Sequence, residues 1–202
     1  MKIVIGFFFF ILMTTMQLFA FDPDRVEYQI GLYVGTQTAS YGNSSDFNNT
    51  YMPGGNAGMV FSAIFASNET TALIATVGAS SRSLSPEYSS LNSTYYELLL
   101  AKDFSGHRFG IGASFYTGFR SEDDNNTFTY APELSASVGG VLSYTYMFDD
   151  DRSLLWLIMW PLYFIDYVGI RYEYIYFEDT VNANSFDAST INFNVGVNFF
   201  GT

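Results

Sequence analysis

The 202-residue chain contains no cysteine. An exported protein of this composition therefore folds without disulfides, and lipid attachment through an N-terminal cysteine is excluded. Positive charge is also scarce, with eight basic against twenty acidic residues and a formal net charge of −12. So acidic a chain is a poor partner for nucleic acid. There is one histidine, His107, which leaves little room for imidazole-based catalysis. Long hydrophobic runs are few. Beyond the N-terminus the main one is Leu154 to Ile165, about 18 Å long as a helix at 1.5 Å per residue. That is too short for a ~30 Å hydrocarbon core, and Pro161 interrupts it.

The first twenty residues, MKIVIGFFFFILMTTMQLFA, combine one lysine, an apolar middle and a small final residue, the pattern of a secretory signal peptide. Residues 1–20 are read as that leader and 21–202 as the mature domain. A retained anchor is the competing reading, but the unbroken apolar part, Ile3 to Met13, is too short for a spanning helix. Loss of Lys2 with the leader makes the mature chain more acidic still.

Aromatic residues are abundant at 19%, nearly all Tyr and Phe, and the clearest periodicity is two. In RFGIGASFYTGFR, Phe109, Ile111, Ala113, Phe115, Thr117 and Phe119 alternate with Arg108, Gly110, Gly112, Ser114, Tyr116, Gly118 and Arg120. In TINFNVGVNFF, Ile191, Phe193, Val195, Val197 and Phe199 oppose Thr190, Asn192, Asn194, Gly196 and Asn198. One face is apolar and the other polar or small, as in strands whose two sides meet different solvents. EYQIGLYVGTQ, ELSASVGGVLSYTYMF and YVGIRYEYIYF repeat the alternation. Weaker segments at 59–66, 72–80 and 95–103, each bounded by turn residues, bring the count to eight strands.

The connections run long, short, long, short. Long ones are expected at 40–56, 82–92, 121–130 and 178–187, and short ones at SNET and SGH. With both chain ends on the periplasmic side, every long loop faces outward, as in outer-membrane barrels. About ten residues per strand suit a tilted transmembrane strand, and closing the sheet removes its edges. The expected fold is all-β: an eight-stranded antiparallel transmembrane β-barrel. A secreted β-sandwich is the alternative, but it would bury tyrosine rows such as Tyr172, Tyr174 and Tyr176, whose hydroxyls would then need partners.

On these residues the chain resembles the small eight-stranded outer-membrane barrels, the group containing the transmembrane domain of outer-membrane protein A and outer-membrane protein X. The resemblance implies insertion by the barrel-assembly machinery, which in this group reads a C-terminal aromatic strand. Ile191 to Phe199 fit that strand, although Phe200, Gly201 and Thr202 follow. It also implies contact with outer-membrane lipid and lipopolysaccharide.

Eight strands leave an interior just wide enough for side chains to fill. Glu27, Glu97, Arg108, Arg120, Glu133, Arg171 and Glu173 fall on the inward parity and are expected to form a polar network that closes the barrel. A narrow pore is the alternative. An outer-leaflet enzyme is a third reading, opposed by the position of His107 in the inner SGH turn, away from the outer leaflet. No zinc-ligand spacing appears, and no cofactor is expected. The acidic outer loops, with Arg82 as their main counterweight, suit solubility or a surface contact; cation bridging to lipid headgroups is the sharper possibility. Five Asn-x-Ser/Thr triplets are read as turn formers.

The block SLLWLIMWPLYFID remains. Trp156 and Trp160 are four apart and share one side of a helix, and tryptophan favours the membrane interface. A short interfacial segment between the sixth and seventh strands is expected, with Asp166 at the water line where the next strand begins.

Overall fold

In a computed structural model of the chain, the described residues are 26–42, 51–68, 70–83, 91–122, 128–130, 137–148, 165–178 and 185–199. They form nine antiparallel strands: β1 (Val26–Gly42), β2 (Tyr51–Asn68), β3 (Thr71–Arg82), β4 (Leu91–Phe104), β5 (His107–Glu122), β6 (Phe128–Tyr130), β7 (Ser137–Met147), β8 (Tyr167–Glu178) and β9 (Ser185–Phe199). Eight of these close a barrel in chain order, with β5 paired to β7 and β9 to β1. The short β6 pairs only with the outer end of β5, through Arg120 to Glu122. Closure leaves every barrel strand paired on both sides, which is what backbone polar groups require in lipid.

The barrel is apolar outside and polar inside. Leu32, Val34, Ile111, Val138, Leu142 and Phe193 are exposed on the outer surface, while Gln29, Ser62, Thr76, Glu97, Ser114, Arg171, Glu173, Thr190 and Asn192 are buried within. A water-soluble protein inverts this order, so the outer face is a lipid-facing belt. Among the described residues there are no helices.

One end of the barrel carries the start of β1, the end of β9 and the tight connections β2–β3 and β4–β5. At the second of these, Ser105 and Gly106 both have positive φ, 47° and 83°, the type I′ hairpin geometry that matches strand twist. Outward aromatic rings gather at this end. Phe109 contacts Phe104 and Tyr144 at centroid distances of 6.3 and 5.1 Å, and Tyr146 contacts Phe148 at 5.2 Å. Such a girdle marks a membrane–water boundary.

The strands are longer than expected and the outer loops correspondingly shorter. Strands β1 and β2 have 17 and 18 residues, so much of the segment 40–56 continues the β1–β2 ladder to Ser40 and Tyr51. Gly and polar residues in Met52 to Asn56 read as loop, yet pairing with β1 supplies the order that composition does not.

The expected leader, residues 1–20, and the block from Ser153 to Phe164 with Trp156 and Trp160 lie outside the described residues. The edges of that connection are described. Phe148 N donates to Asp166 O at 2.9 Å, Asp166 N donates to Gly196 O at 2.9 Å, and Asp166 Oδ2 accepts from Asn198 N at 2.7 Å. Strand β8 begins at the next residue, Tyr167.

Candidate functional site: the charged lumen

The most concentrated chemistry lies inside the barrel. On β8, Arg171 and Glu173 are two apart, which places them on one face, and both point inward and are buried. Glu97 of β4 faces them across the lumen. Arg171 Nε donates to Glu97 Oε2 at 2.8 Å, and its Nη2 lies 2.6 Å from the same oxygen. The other side of the guanidinium reaches its neighbour: Nη1 and Nη2 donate to Glu173 Oε2 and Oε1 at 3.1 and 3.0 Å.

Glu173 is fully buried and surrounded by donors. Arg82 Nη2 reaches Oε2 at 3.1 Å, Tyr116 Oη lies 2.7 Å from both carboxylate oxygens, and Ser114 Oγ donates to Oε1. Arg82 Nη2 also donates to Tyr116 Oη at 2.5 Å. Two arginines and two glutamates thus form a charge-neutral set. Taking such ions out of water costs several kcal/mol each, which only dense pairing and hydrogen bonding offset.

A stacked pair of aromatic rings packs against the network. Arg82 sits 4.5 Å from the centre of the Tyr116 ring and Arg171 5.5 Å from that of Tyr95, and the two rings stack at 5.4 Å. Cation–π contact adds attraction where water is excluded. Toward the loop end Tyr33, Leu91, Phe119, Ile175 and Phe177 pack with them, and toward the other end Ile64, Ile74, Leu99 and Val141 fill the lumen. The opposite wall differs. Gln29 Nε2, Asn194 Oδ1 and both amide atoms of Asn56 and of Asn192 are buried with no hydrogen-bond partner among the described residues.

Of the residues assigned to the interior from sequence, Glu97, Arg171 and Glu173 meet in this network. Arg108 is also buried, but at the girdled end, where its Nε and Nη2 donate to Asp103 Oδ1 and Oδ2, both at 2.7 Å. Glu27 stands beside it, 43% exposed and 4.0 Å from Arg108 Nη2. Glu133 lies outside the described residues.

Arg120 is a correction: it is exposed on the outer face. Across β4 the register passes from Thr94↔Thr117 to Asn92↔Arg120. The extra residue is a bulge at Gly118, whose φ of 66° is a left-handed conformation that glycine adopts without strain. Beyond it the alternation is reversed, so Phe119 enters the lumen, 2% exposed, and Arg120 leaves it.

Arg82 is the second correction. It is no counterweight to the outer loops, being 2% exposed and bound to Glu173. A signal was present, because Arg82 continues the even-numbered inward series Ala72, Ile74, Thr76, Gly78 and Ser80. Asp103 and Tyr95 likewise share the inward parity of Glu97.

His107 Nδ1 lies 2.8 Å from Tyr144 Oη, and its ring contacts Tyr146 at 5.1 Å. It belongs to the aromatic girdle at the end opposite the long connections. Among the described residues no group of three or more His, Cys, Asp or Glu side chains could hold a metal ion.

A closed eight-stranded barrel with an apolar exterior and an ion-paired lumen defines the class as a transmembrane β-barrel. Similar folds occur in solved structures. Neisserial surface protein A is 12% identical, over 83% of this chain and 96% of that one, with a TM-score of 0.45. The outer membrane protein OprG from Pseudomonas aeruginosa is 9% identical, over 88% and 97%, at 0.41. Ail, the attachment invasion locus protein of Yersinia pestis, solved with the heparin analogue sucrose octasulfate, is 9% identical, over 86% and 99%, at 0.35. No family model matches the chain, and no curated protein matches it in sequence.

Proposed function

We propose that this protein is an outer-membrane barrel with a structural or surface-interaction role, its barrel serving as anchor and its outer connections making the contact. The observation that carries the reading is the neutral network of Arg82, Glu97, Arg171 and Glu173, packed against the stacked rings of Tyr95 and Tyr116. Side chains paired across the barrel in this way hold the lumen shut, and a closed barrel acts through its surface. Catalysis is not part of the reading, since the one histidine belongs to the inner girdle.

The connections to test lie between strand ends: 43–50, 84–90, 123–127 and 179–184. Replacing each singly with a two-residue Asn-Gly turn shortens the connection while the paired strand ends, such as Glu178 with Ser185, stay joined. Cells displaying the full chain should adhere to glycan- or matrix-coated surfaces above the level of cells lacking it, and at least one replacement should lower adhesion while the protein still reaches the envelope. Adhesion unchanged by all four replacements sinks the proposal.

A narrow aqueous path is the second reading, and the unpartnered amides of Gln29, Asn56, Asn192 and Asn194 along β1, β2 and β9 favour it. It requires ion or solute flux through folded, reconstituted protein.

A further inference from the structure

The outer face of β2 to β5 carries an open trough of about 700 Å³ at the loop end of the barrel, and Arg120 lines it. Its form follows from the strand register. One cross-strand row reads Ala57, Ser81, Asn92, Arg120; the next row toward the girdled end reads Met59, Ala79, Thr94, Thr117. The row beyond, Phe61, Val77, Tyr96 and Phe115, has large side chains and ends the trough. On β8, by contrast, Tyr172, Tyr174 and Tyr176 project from the barrel. The relief is therefore local to one side of the belt.

The trough is graded. Methyl-bearing side chains of Ala57, Met59 and Ala79 line one part, and the hydroxyls and amide of Ser81, Thr94 and Asn92 line the part leading to the guanidinium. Among the residues whose side chains are described Arg120 has no ion-pair partner, although the chain has few cations and spends three arginines, Arg82, Arg108 and Arg171, which are themselves buried, on carboxylates. The Gly118 bulge is what brings Arg120 here, and a Cβ at Gly118 would meet only open space. Bulges recur where a strand re-aims a side chain at a site.

We infer that this trough seats one phosphorylated glycolipid of the outer leaflet, lipid A in class. Its phosphate lies on Arg120 and Asn92, its sugar hydroxyls against Ser81 and Thr94, and one acyl chain along Ala57, Ala79 and Met59. The inference rests on the outer-membrane reading above. An arginine offers a phosphate two parallel N–H donors, and at the edge of the hydrocarbon it stands at headgroup depth.

The test uses the mature chain in nanodiscs containing lipid A, lipid A stripped of phosphate, or phosphatidylglycerol, with co-purifying lipid counted by native mass spectrometry after mild detergent release. Wild type should retain one lipid A and neither of the other two. Arg120→Ala should lower retention about tenfold, as loss of a charge-assisted contact does. Arg120→Lys should recover part of it, and Ala79→Phe, which fills the trough, should abolish it with Arg120 in place. Retention indifferent to Arg120 and Ala79, or equal for phosphatidylglycerol and lipid A, overturns the inference while leaving the barrel reading intact. Failure of the wild type to reach a heat-modifiable, protease-resistant form in any of these bilayers overturns the membrane reading beneath it.

Discussion

Arg82 and Glu173, 91 positions apart in the chain, meet across the barrel at 3.1 Å, with side chains 1% and 0% exposed. Neither group tolerates that environment alone, so the pair and its partners bind β3, β4, β5 and β8 into one unit.

Replacing Glu173 with Gln leaves Arg82 and Arg171 buried with a deficit of negative charge. Breaking a buried pair in this way costs about 3–5 kcal/mol, so the urea midpoint of the folded, micelle-bound protein should fall substantially. Arg82→Met combined with Glu173→Gln should be less harmful than the sum of the two changes, because the remaining pair, Arg171 and Glu97, is again charge-neutral. Additive losses would show that the two residues are not coupled.

At Gly118 any side chain must adopt a left-handed backbone, since φ is 66°, although the space beside it is open. Gly118→Ala should cost about 1–2 kcal/mol, and Gly118→Asn less, because asparagine tolerates that region. Equal stability of Gly118→Ala and wild type in the same urea titration would argue against the bulge.

Gly31, Gly196 and Tyr167 occupy one cross-strand row, and the phenol of Tyr167 lies over both glycines where their Cβ atoms would be. Gly31→Ala should destabilise by about 1–3 kcal/mol through overpacking. The same change made in a Tyr167→Leu background should cost clearly less. A full cost in both backgrounds would place the clash elsewhere.

The sequence places Trp156 and Trp160, which lie outside the described residues, at the headgroup interface of the periplasmic leaflet as an expectation. In liposomes containing brominated lipids, quenching of both should be strongest with bromine near the headgroup and weak with bromine at the bilayer centre. Insensitivity to every depth would remove the interfacial assignment.

The architecture was legible because a barrel in lipid has two different solvents, and a strand between them must alternate. On β5, positions Arg108 to Tyr116 show their sides plainly, down to the tyrosine that later proves to bind Glu173. Alternation stops giving the faces where one residue changes the count. Gly118 looks like another small inward residue, and nothing in its local composition reveals a positive φ, so plain alternation puts Phe119 outside and Arg120 inside, the reverse of the fold. Arg82 is hidden for a different reason: it stands beside a Ser- and Pro-containing segment whose turn residues suggest that the strand has already ended. The pairing of Arg171 with Glu97 was unreadable for a third reason. It depends on which strands face each other across the closed lumen, and that is a property of closure and register.

The closed lumen is tested most directly by ion conductance of the wild-type barrel, residues 21–202, in planar lipid bilayers. Folded protein whose insertion is verified by heat-modifiable mobility should give no unit conductance steps above the bare membrane. Reproducible steps that appear only with the folded form, and change in size in Arg171→Ala, would contradict a barrel held shut by its own side chains.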